Sequence, residues 1–449
     1  MFNVSDDNGK RQMIIIETNS CPSGQKSMPL LSESEQFAGY KRLLESIFDD
    51  LISASGDCKD EQDKGDLAVV FDKNITENSA YSAVLAELSN ERVWLVEYHD
   101  DEDESIRVVK WENGYMYVKD INNVWHKIRA CLRYVTQKPW KRLPLNTKTK
   151  MLNPIIVCLA GGRNKIMASY AYRVFNQMNL DRNSGIYIRL PYSLINVNKS
   201  DIPSLLDSDS RLNGKAVVKV PYGNCGQGVY TILNKHELDD FMNVNHKYDK
   251  FIIQSLIGDH SWSNHNQIEH KVDEKYNENI NGKNYYHIGT VPDKQNNVFV
   301  FDLRMIVTSD KNGFKPVSMN CRRARKPLTK DLSNLNNGQN TDLSNSNEPK
   351  TFTSWDMLGT NLSIKVDKNL WDTEAERLLI MDNNDFNTLG VGIDDLIDAY
   401  IQTVLSVISI DKMCIELLES NTDNKNEFNV DLFKQLNPDE SLFNEIRFN

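Results

Sequence analysis

Met13-Ile14-Ile15-Ile16-Glu17-Thr18-Asn19 is an apolar run that ends in a carboxylate and an amide, and Pro22-Ser23-Gly24 comes just behind it. The turn-forming residues Asp7-Asn8-Gly9 precede this run, so we expect a β-hairpin whose second strand ends near Glu17. Far downstream, Val217-Val218-Lys219-Val220 is typical of a strand, and Gly223-Asn224-Cys225-Gly226-Gln227-Gly228 follows it. Together the two stretches predict the two halves of a nucleotide site.

The first half carries oxygen ligands. Side chains two residues apart on a strand point the same way, so Glu17 and Asn19 share a face. A carboxylate and an amide oxygen on one face can bind a hard cation such as Mg²⁺. The alternative is an ordinary strand end that faces solvent. Pro22-Ser23-Gly24 and Lys26 predict a constrained polar turn beside the pair, which favours the metal site.

The second half carries phosphate ligands. Glycines at 223, 226 and 228 allow backbone N–H groups to approach phosphate oxygens, and Lys219 could place a cation on a phosphate. Gln254 closes a later strand, as a residue that hydrogen-bonds the adenine edge would. The alternative is a plain hairpin with glycine turns. No Gly-Lys-Ser/Thr follows, so this is not a Walker A loop.

Three further places are candidates for anion binding. Lys165 follows Gly161-Gly162 at a predicted helix start, where phosphate binding is favoured, although an ordinary turn is the alternative. Asp302 and Arg304 share a face of an apolar strand, where they could pair with each other or Arg304 could hold a phosphate. A basic cluster follows the next strand, with a solvated loop as its alternative; it comprises Arg322, Arg323, Arg325 and Lys326.

Composition limits the classes of function. The 449 residues are 40% hydrophobic and 26% charged, with a net charge of −11, which predicts a globular protein of two or three domains that binds neither nucleic acid nor anionic membranes. We expect no membrane span and no signal peptide. Seven scattered cysteines indicate free thiols and a cytoplasmic location. His260, His265 and His270 lack the spacing of a zinc motif, and we interpret them as loop residues.

Periodicity predicts a mixed α/β chain. We expect a βαβ unit from Leu67 to Val96, a hairpin around Asn113-Gly114, and hydrophilic Asn-rich inserts at Ser263 to Lys283 and Asp331 to Lys350. Ile393, Ile397 and Ile401 belong to one apolar face of a predicted amphipathic helix that runs to Ile408. The other predicted strands are Pro154 to Leu159, Lys215 to Val220, Phe251 to Gln254, Phe299 to Val307 and Lys315 to Met319, and the other helices lie at 34–52, Ala80 to Leu88 and Lys165 to Met178.

These motifs resemble the ATP-grasp superfamily, and more closely its circularly permuted branch of glutathionylspermidine-synthetase-like carboxylate–amine ligases. In most ATP-grasp enzymes the glycine loop comes first and the Glu-x-Asn strand last, whereas here Glu17-Thr18-Asn19 comes first and Lys219 follows. The similarity covers most of residues 1–330. It implies an α/β (α+β) fold, with a metal-binding part at 1–60, an α/β pre-grasp domain at 66–200 and a nucleotide-binding region at 201–330. An Asn-rich insert at 331–364 and a helical C-terminal region at 365–449 complete this expectation.

The resemblance also implies roles. ATP would activate a small-molecule or peptide carboxylate as an acyl phosphate, which an amine would then attack. Glu17 and Asn19 would bind Mg²⁺, and the catalytic arginine that stabilises the acyl phosphate would be Arg304, Arg322 or Arg323. The residues implied for ATP binding are Lys165, Lys219, Gly223, Gly226, Gln227, Gly228 and Gln254.

One feature departs from the family. Where such ligases have an Arg-x-Asp pair on the strand before the hairpin, this chain has Met1 and Asn3. We therefore expect either a sequence that lacks its start or a weakened metal site. The alternatives to a ligase are a catalytically weakened homologue that binds nucleotide or a partner, and an enzyme that phosphorylates a small molecule.

Overall fold

The computed structural model describes most of the chain, namely residues 1–5, 9–25, 37–53, 64–98, 107–223, 226–257, 287–329, 353–367, 370–379, 389–419 and 428–446. The expectations for Lys26, for the three loop histidines, for the insert at Ser263 to Lys283 and for the insert at Asp331 to Lys350 lie outside the described residues.

Strands and helices alternate along the chain. The strands are β1 Phe2–Ser5, β2 Arg11–Ile14, β3 Asp66–Phe71, β4 Val93–Glu97, β5 Val109–Glu112, β6 Tyr115–Lys119, β7 Trp125–Tyr134, β8 Lys150–Leu152, β9 Ser193–Asn198, β10 Ala216–Lys219, β11 Val229–Ile232, β12 Lys250–Gln254, β13 His287–Ile288, β14 Thr290–Pro292, β15 Val298–Asp310, β16 Gly313–Arg323, β17 Ser363–Asp367, β18 Leu370–Thr373 and β19 Leu378–Leu379. The helices are α1 Ala38–Ser53, α2 Ile75–Ser89, α3 Pro139–Arg142, α4 Ile155–Val157, α5 Lys165–Asp181, α6 Ile202–Ser208, α7 Lys235–Asn243, α8 Ser354–Leu358, α9 Ile393–Glu419, α10 Val430–Leu436 and α11 Glu440–Phe443.

The chain divides into two compact units. Unit 1 comprises Met1–Thr18, Arg163–Arg304 and Met319–Leu442, and unit 2 comprises Asn19–Gly162, Met305–Ser318 and Phe443–Asn449. The predicted α/β domain at 66–200 differs from unit 2 at its end, because β9 pairs with β12 in a sheet of unit 1.

Unit 2 is built on a sheet in the order β4-β3-β7-β6-β5, with β8 beside β7. β3 runs parallel to β4 and to β7, which confirms the predicted βαβ unit, since α2 connects β3 to β4. β5 and β6 form the predicted hairpin. Asn113 and Gly114 at its turn both have positive φ, at 52° and 83°, which is the backbone that Asn-Gly favours in a two-residue hairpin loop.

The core of unit 2 lies where α1 and α2 cover this sheet. Leu67, Val69 and Phe71, which alternate along β3 and so share one face of the strand, are buried in this core. The other buried members of the cluster are Cys21, Tyr40, Leu43, Leu44, Tyr81, Val84, Leu85, Ala130, Leu132, Tyr134, Ile306 and Val317.

Unit 1 contains antiparallel sheets. One has the order β13-β1-β2, and another has the order β11-β10-β12-β9. Met1 joins the first of these to β15, since its ammonium donates to the Leu303 carbonyl oxygen at 2.8 Å and its carbonyl accepts from the Leu303 N–H at 2.9 Å.

The long helix α9 holds β2 in place through polar side chains. The Asp398 carboxylate accepts from the Met13 N–H at 2.8 Å and forms an ion pair with Arg189. Arg189 also donates from Nε to the Met13 carbonyl oxygen at 3.0 Å, and its own carbonyl accepts from the Ile15 N–H at 2.9 Å. The strand that leads to Glu17 is therefore fixed at successive residues.

The apolar face expected for α9 is not the side of the helix that is buried here. The side chains of Ile393, Ile397 and Ile401 are exposed, at 71%, 51% and 46%, whereas Asp395 and Gln402 are buried. The reason is that the polar side of the helix satisfies partners on unit 1: Asp395 accepts from Arg11 at 2.9 Å, and Gln402 accepts from the Arg189 N–H at 2.8 Å.

One other local expectation was wrong. Pro154 to Leu159 is not a strand, because Pro154 precedes a helical turn at Ile155–Val157 and a π turn follows at Cys158–Gly162. A short apolar run cannot be told from a buried helix by periodicity alone. The C-terminal region from 365 begins with the antiparallel hairpin β17–β18, whose alternating Ile364-Lys365-Val366-Asp367 follows the strand period.

The end of the expected insert at 331–364 is also ordered. α8 begins with a capping box at Thr353 and Asp356, and its Met357 is fully buried against Leu233 and Leu256. Residues 353–364 therefore belong to the packed part of unit 1.

Among the helices in the described ranges, none combines the length and the apolar composition that a bilayer crossing requires.

We predict that Asp398→Ala lowers the free energy of unfolding by about 2 kcal/mol, because it removes a charge-assisted hydrogen bond and the partner of Arg189. Urea denaturation followed by circular dichroism measures the change. Asp411→Ala, at an exposed position of the same helix, is the control and should stay within about 0.5 kcal/mol. Equal effects of the two substitutions would contradict the role given to Asp398.

Candidate functional site

Glu17 follows the strand that α9 and Arg189 hold in place. Its side chain is exposed to solvent, and the neighbouring Thr18 hydroxyl forms a hydrogen bond with the hydroxyl of Tyr172 on α5. Glu17 and Tyr172 both belong to unit 1. Tyr172 could not be identified from the sequence, because a tyrosine inside a helix is most often a packing residue.

Four cations surround the carboxylate of Glu17. Desolvation by the surrounding protein raises the pKa of Glu17, but the positive charges of four side chains lower it by more, so that the pKa falls to about 2; they are Lys165, Lys219, Arg304 and Arg322. All four belong to unit 1 and come from α5, β10, β15 and β16. Solvent reaches Glu17, yet it is close enough to these charges to stay ionised at every ordinary pH.

Lys165 is placed by the start of α5. Asn164 caps this helix, since its side-chain oxygen accepts from the N–H groups of Ile166 at 3.1 Å and Met167 at 3.2 Å. The Lys165 N–H donates to the Pro221 carbonyl oxygen at 3.1 Å, and its ammonium donates to the Gly223 carbonyl oxygen at 3.2 Å. The lysine thus connects the helix start to the glycine segment.

Lys219 ends β10, and its side chain is 5% exposed. Desolvation lowers its pKa, Glu17 raises it, and Lys165 lowers it again, so that the pKa is about 8. Desolvation also lowers the pKa of Lys165, while Glu17 raises it. The two lysines therefore repel each other, and Glu17 favours the protonated form of both.

Gln254 lies on the same face of this sheet as Lys219. The register pairs Lys219 with Ile252 and Val217 with Gln254, and residues two apart on a strand share a face. Gln254 is buried, and its amide nitrogen donates to the Ser193 hydroxyl at 3.1 Å.

The glycine segment closes the turn between β10 and β11. The Val220 N–H donates to the Gly228 carbonyl oxygen at 2.8 Å, which continues the ladder of the two strands. A Cβ at Gly223 would lie 2.0 Å from the Gln227 carbonyl oxygen, and a Cβ at Gly228 would lie 2.2 Å from Val220 Cγ2. Packing of the loop itself therefore requires these glycines, so their presence alone does not indicate phosphate binding. Gln227, in the same turn, is exposed, and Gly226 has a positive φ of 76°.

The arginines of the basic cluster have different partners. Arg322 holds Asp302, with its Nε 3.0 Å from Oδ1 and a second bond to Oδ2, so Asp302 pairs with the next strand rather than with Arg304. Arg323 lies over the ring of Phe299, 4.5 Å from its centroid. Arg325 donates to Asp356 at 2.8 Å and to Glu374 at 3.0 Å. Of the basic cluster, Arg322 is the member that acts on Glu17.

Asn19 belongs to unit 2, whereas Glu17 belongs to unit 1, so a metal ion shared by the two stays a prediction. The turn behind Asn19 is constrained, as expected. Glu77 of α2 accepts from the N–H groups of Gly24 at 3.0 Å and Gln25 at 2.9 Å. Tyr81 donates to the Pro22 carbonyl oxygen at 2.8 Å, so α2 fixes both ends of the Pro-Ser-Gly sequence.

The site has the charge of an anion-binding site. The cations around Glu17 outnumber the two acidic groups beside them, Glu17 and Asp302, within a protein whose net charge is −11. Repulsion among cations and desolvation of lysines are the costs that a bound polyanion would relieve.

We predict that Glu17→Gln lowers the pKa of Lys219 below about 8, because Glu17 is the charge that raises it. NMR of lysine labelled with ¹³C at the ε carbon, followed as a function of pH, measures this value. Glu112→Gln, an exposed glutamate of unit 2, is the control and should leave it unchanged. A Lys219 pKa that is the same in all three proteins would contradict the coupling.

No protein-family model matches the sequence, and no curated protein matches it. Several solved structures are similar to it, and two of them, both at low identity, are described here. One is a RimK domain protein ATP-grasp from Sphaerobacter thermophilus DSM 20745, with 10% identity and a TM-score of 0.31 over 44% of this chain; the similarity spans 65% of that protein's length. The other is a putative gamma-glutamylcysteine synthetase from Methylobacillus flagellatus KT, with 12% identity and a TM-score of 0.39 over 84% of each chain. We base the function proposed below on the residues of this chain and not on these two similarities.

Proposed function

We propose that this protein is an ATP-dependent ligase with a circularly permuted ATP-grasp arrangement, which joins a carboxylate to an amine. The observation that carries the proposal is the Glu17 carboxylate, held ionised by four cations from separate elements of unit 1. Such a set of charges suits a polyphosphate that shares a divalent cation with the protein. The motif order of the sequence, with Glu17 before Lys219, supports the permuted form.

The residues present fit ATP and Mg²⁺ chemically. Lys165 and Lys219 supply ammonium donors for phosphate oxygens, and Gln254 supplies an amide on the same sheet face as Lys219. Magnesium is often bound through one or two carboxylates together with substrate phosphates, and Glu17 is an ionised carboxylate open to solvent. When bound, the ion would neutralise charge on the transferring phosphoryl group.

The proposed reaction has two steps, and the arginines would act on its intermediate. An oxygen of the substrate carboxylate forms a bond to the γ-phosphorus of ATP, the bond to ADP breaks, and an acyl phosphate results. The amine nitrogen then bonds to the acyl carbon, phosphate leaves, and the amine loses a proton. Arg304 and Arg322 would hold the acyl-phosphate oxygens, and the bond to Asp302 would orient Arg322. Arg323 lies over Phe299 and would act less directly.

A second candidate is a catalytically weakened homologue that binds nucleotide. It is favoured by Asn3, which replaces the expected aspartate and is 6% exposed. Within the described residues, no group of three or more His, Cys, Asp or Glu side chains could hold a metal ion. Under this alternative, the protein would bind ATP through its lysines and not turn it over.

We further propose a reducing, cytoplasmic setting. Of the seven cysteines, the five in the described part of the chain are buried and form no disulfide; they are Cys21, Cys131, Cys158, Cys321 and Cys414.

We predict that Lys219→Met weakens ATP binding about tenfold, because one buried ammonium is lost from the phosphate site. Isothermal calorimetry with and without Mg²⁺ measures the affinity. Lys215→Met is the matched control, since Lys215 lies on the same face of the same stretch of chain, about 13 Å away. A loss of affinity as large in the control would remove Lys219 from the nucleotide site.

We predict that the protein forms hydroxamates when hydroxylamine replaces the amine and carboxylates are supplied with ATP and Mg²⁺, because hydroxylamine captures an acyl phosphate. The ferric chloride colour of the hydroxamate and coupled ADP release are the readouts. Arg304→Gln should reduce the rate about a hundredfold by removing a charge that stabilises the transition state.

The outcomes separate the three functions. ADP release with a phosphorylated product and no hydroxamate would indicate a small-molecule kinase. Retained ATP binding with no ADP release for any carboxylate would indicate the weakened homologue.

A further inference from the structure

A tryptophan of α8 contacts the glycine segment from another part of unit 1. A Cβ at Gly226 would lie 2.8 Å from Cζ2 of Trp355 and 3.5 Å from Nδ2 of Asn361. Gly226 also has a positive φ of 76°, so its backbone and the ring beside it both require glycine. The ring of Trp355 therefore packs directly against the backbone of the segment.

The position of this ring is restricted on a second side. A Cβ at Gly359 would lie 2.6 Å from Cε2 of Trp355, so a second bare glycine backbone contacts the ring. The Gly359 N–H donates to the Trp355 carbonyl oxygen at 2.7 Å, which closes the end of α8. The half-buried ring lies where a side chain at either glycine would displace it.

The helix that carries Trp355 is anchored to β11. The hydroxyl of Ser354 forms a hydrogen bond with the hydroxyl of Thr231. The Glu237 carboxylate accepts from the Ser354 N–H at 3.3 Å and from the Leu233 N–H at 2.8 Å. Because β11 is the strand that follows the glycine segment, α8 is fixed to the same strand whose turn Trp355 contacts.

Two hydrogen bonds of the proposed nucleotide site depend on where the segment lies. The Lys165 ammonium donates to the Gly223 carbonyl oxygen at 3.2 Å, and the Val229 N–H donates to the Gly226 carbonyl oxygen at 3.2 Å. A segment that moved away from α8 would change the acceptor of Lys165, which is one of the four cations around Glu17.

We propose that Trp355 is a positioning residue for the nucleotide site, because it holds the glycine segment in place before ATP binds. Ordering a flexible loop during binding costs conformational entropy, and a segment that a side chain already holds avoids that cost. Trp355 acts through Gly226 and does not itself contact the nucleotide. This role rests on the proposed ATP site, whereas the contact between Trp355 and Gly226 does not.

Hydrogen-exchange mass spectrometry of the full-length protein without nucleotide tests whether the segment is held. We expect Trp355→Ala to speed exchange of the Val229 N–H about tenfold. Trp355→Phe should stay within about threefold of the wild type, since phenylalanine refills part of the same space. The control is Trp125→Ala, at an equally half-buried tryptophan of unit 2, and it should leave this exchange rate unchanged.

Isothermal calorimetry with ATP and Mg²⁺ tests the consequence for the site. Trp355→Ala should weaken ATP binding about tenfold, with recovery to within about threefold in Trp355→Phe and no change in Trp125→Ala. Unchanged exchange at Val229 in Trp355→Ala would overturn the positioning role. Faster exchange with unchanged ATP affinity would also overturn it, since Trp355 would then be a packing residue only. Faster exchange in a protein whose wild type binds no ATP would instead refute the proposed function and leave Trp355 as the residue that holds the segment.

A cycle of variants guards against a general loosening of unit 1 by Trp355→Ala. Gly226→Ala places a methyl group where the Trp355 ring lies, so it should speed exchange at Val229 at least threefold less in the Trp355→Ala background than in the wild type. Two substitutions that act independently would multiply their effects on the exchange rate. Such multiplication would contradict the contact through which Trp355 is proposed to act.

Discussion

The carboxylate of Glu17 is the charge on which the proposed site depends. Lys165, Lys219, Arg304 and Arg322 come from parts of the chain that are far apart in sequence, and each lowers the pKa of Glu17. Without this carboxylate, Lys165 and Lys219 would lose the negative charge that raises their pKa values, while Asp302 is already engaged by Arg322. Glu17 is therefore a candidate metal ligand, and its negative charge also reduces the repulsion among these cations in the folded protein.

The position of Glu17 depends in turn on a polar contact of α9. Asp398 accepts from the Met13 N–H and pairs with Arg189, which also donates to the Met13 carbonyl oxygen. The helix thus turns its acidic side inward and leaves Ile393, Ile397 and Ile401 exposed. A helix that buried its isoleucines instead would lose the hydrogen bonds that fix the strand, because the two sets of residues lie on different sides of α9.

Sequence predicted what local patterns encode. The βαβ unit, the Asn113-Gly114 hairpin and the strands that carry Lys219 and Gln254 follow from periodicity and turn residues, and the structure has them. The sequence also named all four residues that surround Glu17, because a carboxylate and cations at strand ends and helix starts suggest phosphate chemistry.

The hydrogen-bond and ion-pair partners of these side chains could not be predicted from local patterns. Asp302 shares a strand face with Arg304, yet it pairs with Arg322 of the adjacent strand, and no spacing along one strand distinguishes the two. The orientation of α9 likewise depends on Arg11, Arg189 and Met13, which are hundreds of residues away from it in the chain. Hydrophobic periodicity predicts that the most apolar side of a helix is buried. In α9, hydrogen bonds to charged groups determine instead which side is buried.

The free-energy cost of burying the charged lysines of the site relates its electrostatics to the proposed function. The pKa of Lys219 is lowered to about 8 because desolvation and Lys165 together outweigh Glu17, so the free protein holds a lysine in an unfavourable position. Interactions that are unfavourable in the free protein are common where a ligand later relieves them. A bound polyphosphate would add negative charge beside Lys165 and Lys219 and would favour their protonated forms. The proposed anionic ligand would therefore offset the desolvation cost of these two lysines.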